Sequence, residues 1–292
     1  MKVLVTGASG HLGTAVCRVL DQHGHELRAA DRRYRTGLKA RQELADIRDE
    51  LSVHRLMQNM DAVVHLANHP NPYVGPSPAT LLADNTAMNA NVFTAAVEHG
   101  VVRIVFASSV QVMLSYGFPC SKLPPFRLPY LPLDGECPVN TATNPYALSK
   151  HFGEQLLRAL SESKPELRVT VLRYPMLVGE WQRRRWYPGP APKLPRHAVD
   201  LHEVTAHLLL DDAAELVAAA LEREQPGYHQ YFPAQPFDFV GYDPARMVRE
   251  FYPEVPLKRP LEELDTLIDL TAVQAALGWS PRQRIRAEIV DG

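Results

Sequence analysis

The chain has 292 residues, 46% of them hydrophobic, with a formal net charge of -2 and an isoelectric point near 6.6. That is ample for a sizeable core in one or two domains, and the near-neutral balance excludes the basic footprint of a nucleic-acid binder. No apolar run approaches the ~18 residues of a membrane span, and the opening MKVLVTG holds too short an apolar stretch for a secretion signal. Cys17, Cys120 and Cys137 are odd in number and lack CxxC spacing. That argues for a reducing compartment, and against a disulfide framework and a zinc site. The expected location is the cytoplasm, with neither membrane nor nucleic acid as partner.

Residues 2–6 (KVLVT) form a short β-branched apolar run, as in a parallel strand buried on both faces. The glycine-rich VTGASGHLG follows, with Gly7, Gly10 and Gly13 three apart. Leu12, Val16, Val19 and Leu20 then share one helical face, and Gly24 supplies the stop. Further strands are expected at 25–31, 61–67, 101–109 and 167–174, and helices at 85–99 and 144–163. Asn144 would cap the latter, with Pro145 just inside it. The alternation predicts an α/β fold, a Rossmann-like doubly wound parallel sheet. Prolines crowd 117–145 (Pro119, Pro124, Pro125, Pro129, Pro132, Pro138, Pro145) and 188–195. Neither segment suits a central strand or a helix interior; both are expected to be loops, and their length suits pocket walls.

A glycine loop between a buried strand and a helix suits a pyrophosphate, because helix N-termini present unpaired amides. Asp31 stands at the end of the second strand, 18 residues after Gly13. Its carboxylate would accept from an adenosine ribose hydroxyl and repel a 2′-phosphate, which favours NAD. Arg32 and Arg33 would instead accept that phosphate and admit NADP. The other reading of Asp31 is an ordinary turn residue. Tyr146 and Lys150, four apart on a helix, share one face about 6 Å apart along the axis. Phenols ionise near ~10; a lysine cation on the same face would lower that value and fit the pair for proton exchange during hydride transfer. Ser108 and Ser109 end the 101–109 strand, where a hydroxyl would hold a substrate oxygen; a cap or turn role is the alternative.

With these motifs the chain resembles an extended short-chain dehydrogenase/reductase of the NAD-dependent epimerase/dehydratase family. The resemblance runs from residue 1 to about 180 and resumes at 208–222 and 267–281. It implies a dinucleotide-binding domain over 1–178 and a smaller C-terminal substrate-binding region over 179–292, with 208–225 returning to the first. It implies NAD contacts through Gly7, Ser9, Gly10, His11, Leu12 and Gly13, through Asp31 and Arg32, and through Asp46 and Ile47 against adenine. Leu66, Ala67 and Asn68 would line the cofactor with their backbone. Tyr174 would stand beside the nicotinamide, and Tyr146 and Lys150 would also touch NAD. The resemblance makes Ser109, Tyr146 and Lys150 catalytic, with Asn85 supporting them, and it implies a homodimer through the helices at 85–99 and 145–162.

The departures bear on substrate. Met176 replaces an Asn that contacts the pyrophosphate in many nucleotide-sugar members, and Met has no donor. The stretch from Gly179 to Asp211 is short for a nucleotide subdomain. Val110 and Gln111 follow Ser109 where dehydratases carry acids, and Met113-Leu114 replaces Tyr-Gly. In EWQRRRWYPGP, Arg183, Arg184 and Arg185 would either grip an anionic substrate, with Trp181 or Trp186 stacking on a sugar, or form a solvated loop whose tryptophans pack on the core. His54, His65, His69, His197, His202 and His207 lack metal-ligand spacing, so no metal is expected. The expected activity is NAD-dependent oxidation or reduction of a sugar or sugar acid. The alternatives are a nucleotide-sugar 4-epimerase with tightly held NAD and, last because Tyr146 and Lys150 are both present, a non-catalytic dinucleotide sensor.

Overall fold

The computed structural model describes residues 1–70, 75–115, 128–141, 143–196 and 203–291. β1 (Lys2–Thr6) runs through the centre of the protein. Val3 and Val5 face one core and Leu4 the opposite one, which is why its sequence is apolar throughout. α1 (His11–Gln22), β2 (Glu26–Asp31), β3 (Arg41–Leu44), α2 (Glu50–Met57) and β4 (Ala62–His65) follow. Then come α3 (Pro78–Glu98), β5 (Arg103–Ser109), a 3-10 turn at Val110–Val112, α4 (Pro145–Ser163) and β6 (Arg168–Tyr174).

Two short strands, β7 (Met176–Val178) and β8 (Lys193–Pro195), flank α5 (Glu180–Trp186). β9 (His207–Leu209), α6 (Leu210–Arg223) and β10 (Gly227–Tyr231) lead to β11 (Asp238–Phe239), α7 (Pro244–Phe251), α8 (Thr271–Leu277) and β12 (Arg286–Val290). The main sheet is parallel, seven-stranded and ordered β10-β6-β5-β4-β1-β2-β3, as a doubly wound α/β fold requires. Strand order reverses between β1 and β4, and crevices open at such switch points. Cores form on both faces: α1 and α6 cover one, with Val16, Leu20 and Leu216, while α2, α3 and α4 cover the other, with Leu56, Phe93 and Leu157.

A third core holds the C-terminal region, with β11-β12-β8 as a small parallel sheet. Leu128, Leu131 and Leu133, from the proline-rich stretch before residue 178, pack in this core. The segment that returns to the main sheet runs past 225, because β10 pairs with β6 through Tyr231.

Several elements differ from the sequence expectation. The helix expected at 85–99 begins at Pro78, where Ser77 caps it by accepting from Thr80 N at 3.3 Å. β3 and α2 were not expected: the strand is polar (RQEL) on the sheet edge and the helix spans two turns. Residues 193–195 form a strand rather than loop. Pro195 is tolerated because β8 lies at an edge and needs no donor on its outer side. The Trp/Arg segment is helical, and Trp181 and Trp186, 68% and 49% exposed, do not pack on the core.

Candidate active site

Gly7 takes φ 72°, and its N–H donates to Ala30 O at 2.9 Å, which ties the loop to the end of β2. A Cβ on Gly7 would lie 2.7 Å from Ala67 N, and one on Gly13 2.2 Å from Gly7 O. The glycines therefore let three backbones meet. Gly10 caps α1 with no side-chain acceptor, so the first-turn amides keep their capacity for an anion.

Beside this loop a cavity of ≈ 1240 Å³ extends across the carboxyl ends of the strands. Gly7, Ser9, Gly10, His11, Leu12, Gly13, Asp31, Arg32, Asp46, Ile47, Leu66, Ala67, Asn68, Ser109, Tyr146, Lys150 and Tyr174 all line it. At one end Asp31 accepts from Ser9 N and Arg33 N, each at 3.0 Å. Arg48 clasps Asp46 and bridges to Asp84, which bonds His69. The guanidinium hydrogen bonds press the Asp46 carboxyl down to about 2.

At the other end, Ser109 and Tyr146 line the cavity together, and the Ser109 hydroxyl accepts from Gln111 N at 3.2 Å. Burial drives the phenol up to about 12, and the nearby Ser109 hydroxyl works against that rise. The lowering expected from Lys150 does not appear, because burial governs the phenol and the lysine is bound elsewhere. Lys150 Nζ sits 5.7 Å from the centre of the tyrosine ring and is bound by Asn68 Oδ1 at 2.5 Å and Ala107 O at 2.6 Å. Burial brings this lysine down to about 7, while the Glu154 charge one turn away raises it. Asn144 caps α4, accepting from Tyr146 N and Ala147 N, and so fixes the phenol's place.

Asn85 lies outside the cavity lining. It is buried and braces the wall, with Nδ2 on His69 O and Ser149 Oγ and Oδ1 accepting from His69 N at 2.8 Å. Ser108 turns away and donates to Glu154 Oε1 at 2.6 Å. Gln111 spans Asn144 and Glu203, bonding the latter at 2.5 Å. Glu154, Arg173 and Asn89 belong to the supporting network and escaped sequence reasoning; only the placing of Glu154 four residues beyond Lys150, on the same face, signalled one of them.

Arg183, Arg184 and Arg185 are absent from the lining: Arg183 bonds Gln283 and Arg184 bonds Glu180. Among the described residues no three His, Cys, Asp or Glu side chains gather to hold a metal. His197, His202 and Cys120 lie outside the described residues. No helix among the described residues is long and apolar enough to cross a membrane.

Known proteins share this fold. The 2-alkyl-3-oxoalkanoate reductase of Stenotrophomonas maltophilia (strain K279a) is 26% identical over 290 residues, covering 98% of this chain and 82% of the reductase. The UDP-glucose 4-epimerase of Haemophilus influenzae is 29% identical over 196 residues, 61% of this chain and 54% of that enzyme. The chain thus spans about half the length of the epimerases it matches. The Bifidobacterium longum UDP-glucose 4-epimerase in complex with NAD+ and UDP superposes with a TM-score of 0.66 at 21% identity, over 98% of this chain and 95% of that one. A mutated uronate dehydrogenase gives 0.62 at 24%, over 97% and 82%. These two likenesses establish the shared fold. The description of the NAD-dependent epimerase/dehydratase family matches residues 3–231, from β1 through β10, and the chain belongs to that family.

Proposed function

We propose that the chain is an NAD-dependent oxidoreductase that interconverts a hydroxyl and a carbonyl on a sugar or sugar acid, with Ser109, Tyr146 and Lys150 as its catalytic residues. The observation that carries this reading is that Ser109, Tyr146 and Lys150 line one cavity together with the glycine loop.

The residues fit NAD. The glycine backbones leave the α1 amides open to a pyrophosphate, Asp31 and Arg32 line the adenosine end, and the volume suits a dinucleotide with a substrate. Bound NAD supplies the acceptor or donor of hydride. During oxidation Tyr146 takes the proton of the substrate hydroxyl as the adjacent carbon loses hydride; in reduction it returns the proton to the carbonyl oxygen. Ser109 holds that oxygen, and the Lys150 cation stabilises the phenolate. Asn85 supports the constellation from behind the wall.

Two observations favour net redox over internal epimerisation. One relative, matched along 98% of the chain, is named a reductase, and Met176 lines the cavity without a donor for a diphosphate. The UDP-sugar 4-epimerase reading keeps the support of the epimerase relatives. The setting we infer is cytoplasmic. The assembly is a homodimer joined through α3 and α4, where Phe152 leaves 44% of its surface exposed. The test is a thermal-shift panel of uronates, free sugars, UDP-sugars and 3-oxoacids with NAD or NADH, since a ligand of the native state raises Tm. NADH formation with the stabilising compound is then measured. Interconversion of a UDP-sugar without change in NADH would replace this reading with the epimerase.

A further inference from the structure

Behind the cavity a buried polar chain has its direction fixed at every link. Asn89, on α3 and 1% exposed, donates Nδ2 to Ser149 O at 3.1 Å. Its Oδ1 therefore faces β4 and accepts twice, from His65 Nε2 at 3.0 Å and from Asn68 Nδ2 at 3.2 Å. With its nitrogen committed there, Asn68 turns Oδ1 to Lys150 Nζ. Reversing the Asn89 amide would set oxygen against the Ser149 carbonyl and nitrogen against two donors, so one orientation satisfies all the partners. His65 follows the same logic. Its Nε2 donates, so its Nδ1 accepts from the Thr6 hydroxyl at 2.7 Å. Burial holds the ring down to about 3, so it stays neutral and puts no second cation beside the lysine.

We propose that Asn89 is a positioning residue for Lys150: by locking the Asn68 amide it keeps an acceptor oxygen, rather than an N–H, against the ammonium, and so holds the lysine charged and aimed into the cavity. The inference rests on the reading of Lys150 as the working cation. The titratable and charged groups around that lysine are Tyr146 and Glu154 on α4, His65 on β4, and Arg173 and Tyr174 on β6, with Arg173 paired to Glu154. Ala107 O on β5 is the second acceptor, and the Phe106 face stands 4.9 Å from Nζ. Removing Asn89 leaves the lysine's own contacts in place; it frees the Asn68 amide to turn and takes one partner each from His65 Nε2 and Ser149 O.

The experiment is an NMR titration of carbon-labelled lysine in the full chain without NAD, with the Lys150 signal assigned by Lys150→Arg. Asn68→Leu removes the acceptor and is expected to lower the Lys150 midpoint by about one pH unit, the scale of one hydrogen bond to a charged group. Asn89→Leu should shift it in the same direction without touching the lysine. Asn89→Asp, which keeps an acceptor for Asn68 and His65 and adds a negative charge, should raise it. A folded Asn89→Leu whose Lys150 titrates as in the unmodified protein overturns the proposal; should that variant not fold, a lowered midpoint in Asn89→Asp overturns it instead. The readout needs no substrate. A lysine that shifts as expected while NAD binding and turnover stay unchanged supports the positioning role and counts against the proposed function of Lys150.

Discussion

Ser108 and Ser109 are neighbours with opposite allegiances: Ser108 donates into the buried Glu154–Arg173 pair against α4, while Ser109 lines the cavity beside Tyr146. The alternation of a β-strand produces this split, since adjacent side chains leave opposite faces. Substitution should separate the two roles. Ser109→Ala should reduce turnover with little change in Tm. Ser108→Ala leaves a buried carboxylate one donor short and should cost about 1–3 kcal/mol of stability, read by urea denaturation. Equal loss of turnover and equal loss of stability in both variants would contradict the division.

Tyr146→Phe keeps the ring and removes the proton donor. Turnover should fall roughly 10²–10⁴-fold, while NAD affinity measured by calorimetry should barely change. Undiminished turnover would move the chemistry to another group and revive the sensor alternative.

Lys150 also marks stability against pH. Its folded value is brought down to about 7 from 10.5, so between those limits the unfolded chain holds a proton that the folded one does not. Unfolding free energy should therefore rise with pH across roughly 7 to 10, by at most about 1.4 kcal/mol per pH unit for one proton. Lys150→Met should flatten that slope in urea melts at pH 7, 8 and 9. An unchanged slope would mean that the lysine titrates normally in the folded state.

The parts of this architecture with a local signature are legible in the amino-acid sequence. KVLVT, the glycine loop and the capped NPYALSK helix each carry periodicity or turn chemistry within a few residues, and each forms close to where that chemistry puts it. β3 is not legible, because a polar edge strand is defined by its neighbour β2 rather than by its own pattern. The start of α3 at Pro78 is hidden because Ser77-Pro78 reads as turn as easily as cap and first turn. The site around the phenol is half legible: spacing places Tyr146 and Lys150 on one face, but only the fold reveals that Asn68 and Ala107 take the ammonium and that Ser109 shares the cavity wall with the phenol.

The proposed dimer is open to direct measurement. Sedimentation at micromolar concentration should give about twice the 32.7 kDa chain mass, and Phe152→Glu, on the outer surface of α4, should shift the population toward monomer. A protein that sediments only as monomer would refute α3–α4 pairing.

Cofactor choice turns on the charge at the end of β2. Asp31 already serves as an acceptor for two backbone amides, Ser9 N and Arg33 N, so its carboxylate is held at the cavity wall rather than left to swing. A 2′-phosphate brought there meets that negative charge, and NAD should bind more tightly than NADP. Arg32, Arg33 and Arg35 line the same wall and supply positive charge once the carboxylate is gone. Asp31→Ser keeps a short acceptor for the loop amides and removes the repulsion, so it should narrow or reverse the NAD preference, measured as the ratio of the two dissociation constants. Asp31→Ala removes the acceptor as well and should add a loss of Tm, because the Ser9 and Arg33 amides lose their partner. Tighter binding of NADP by the unmodified protein would show that the arginines, not Asp31, govern this end of the cavity.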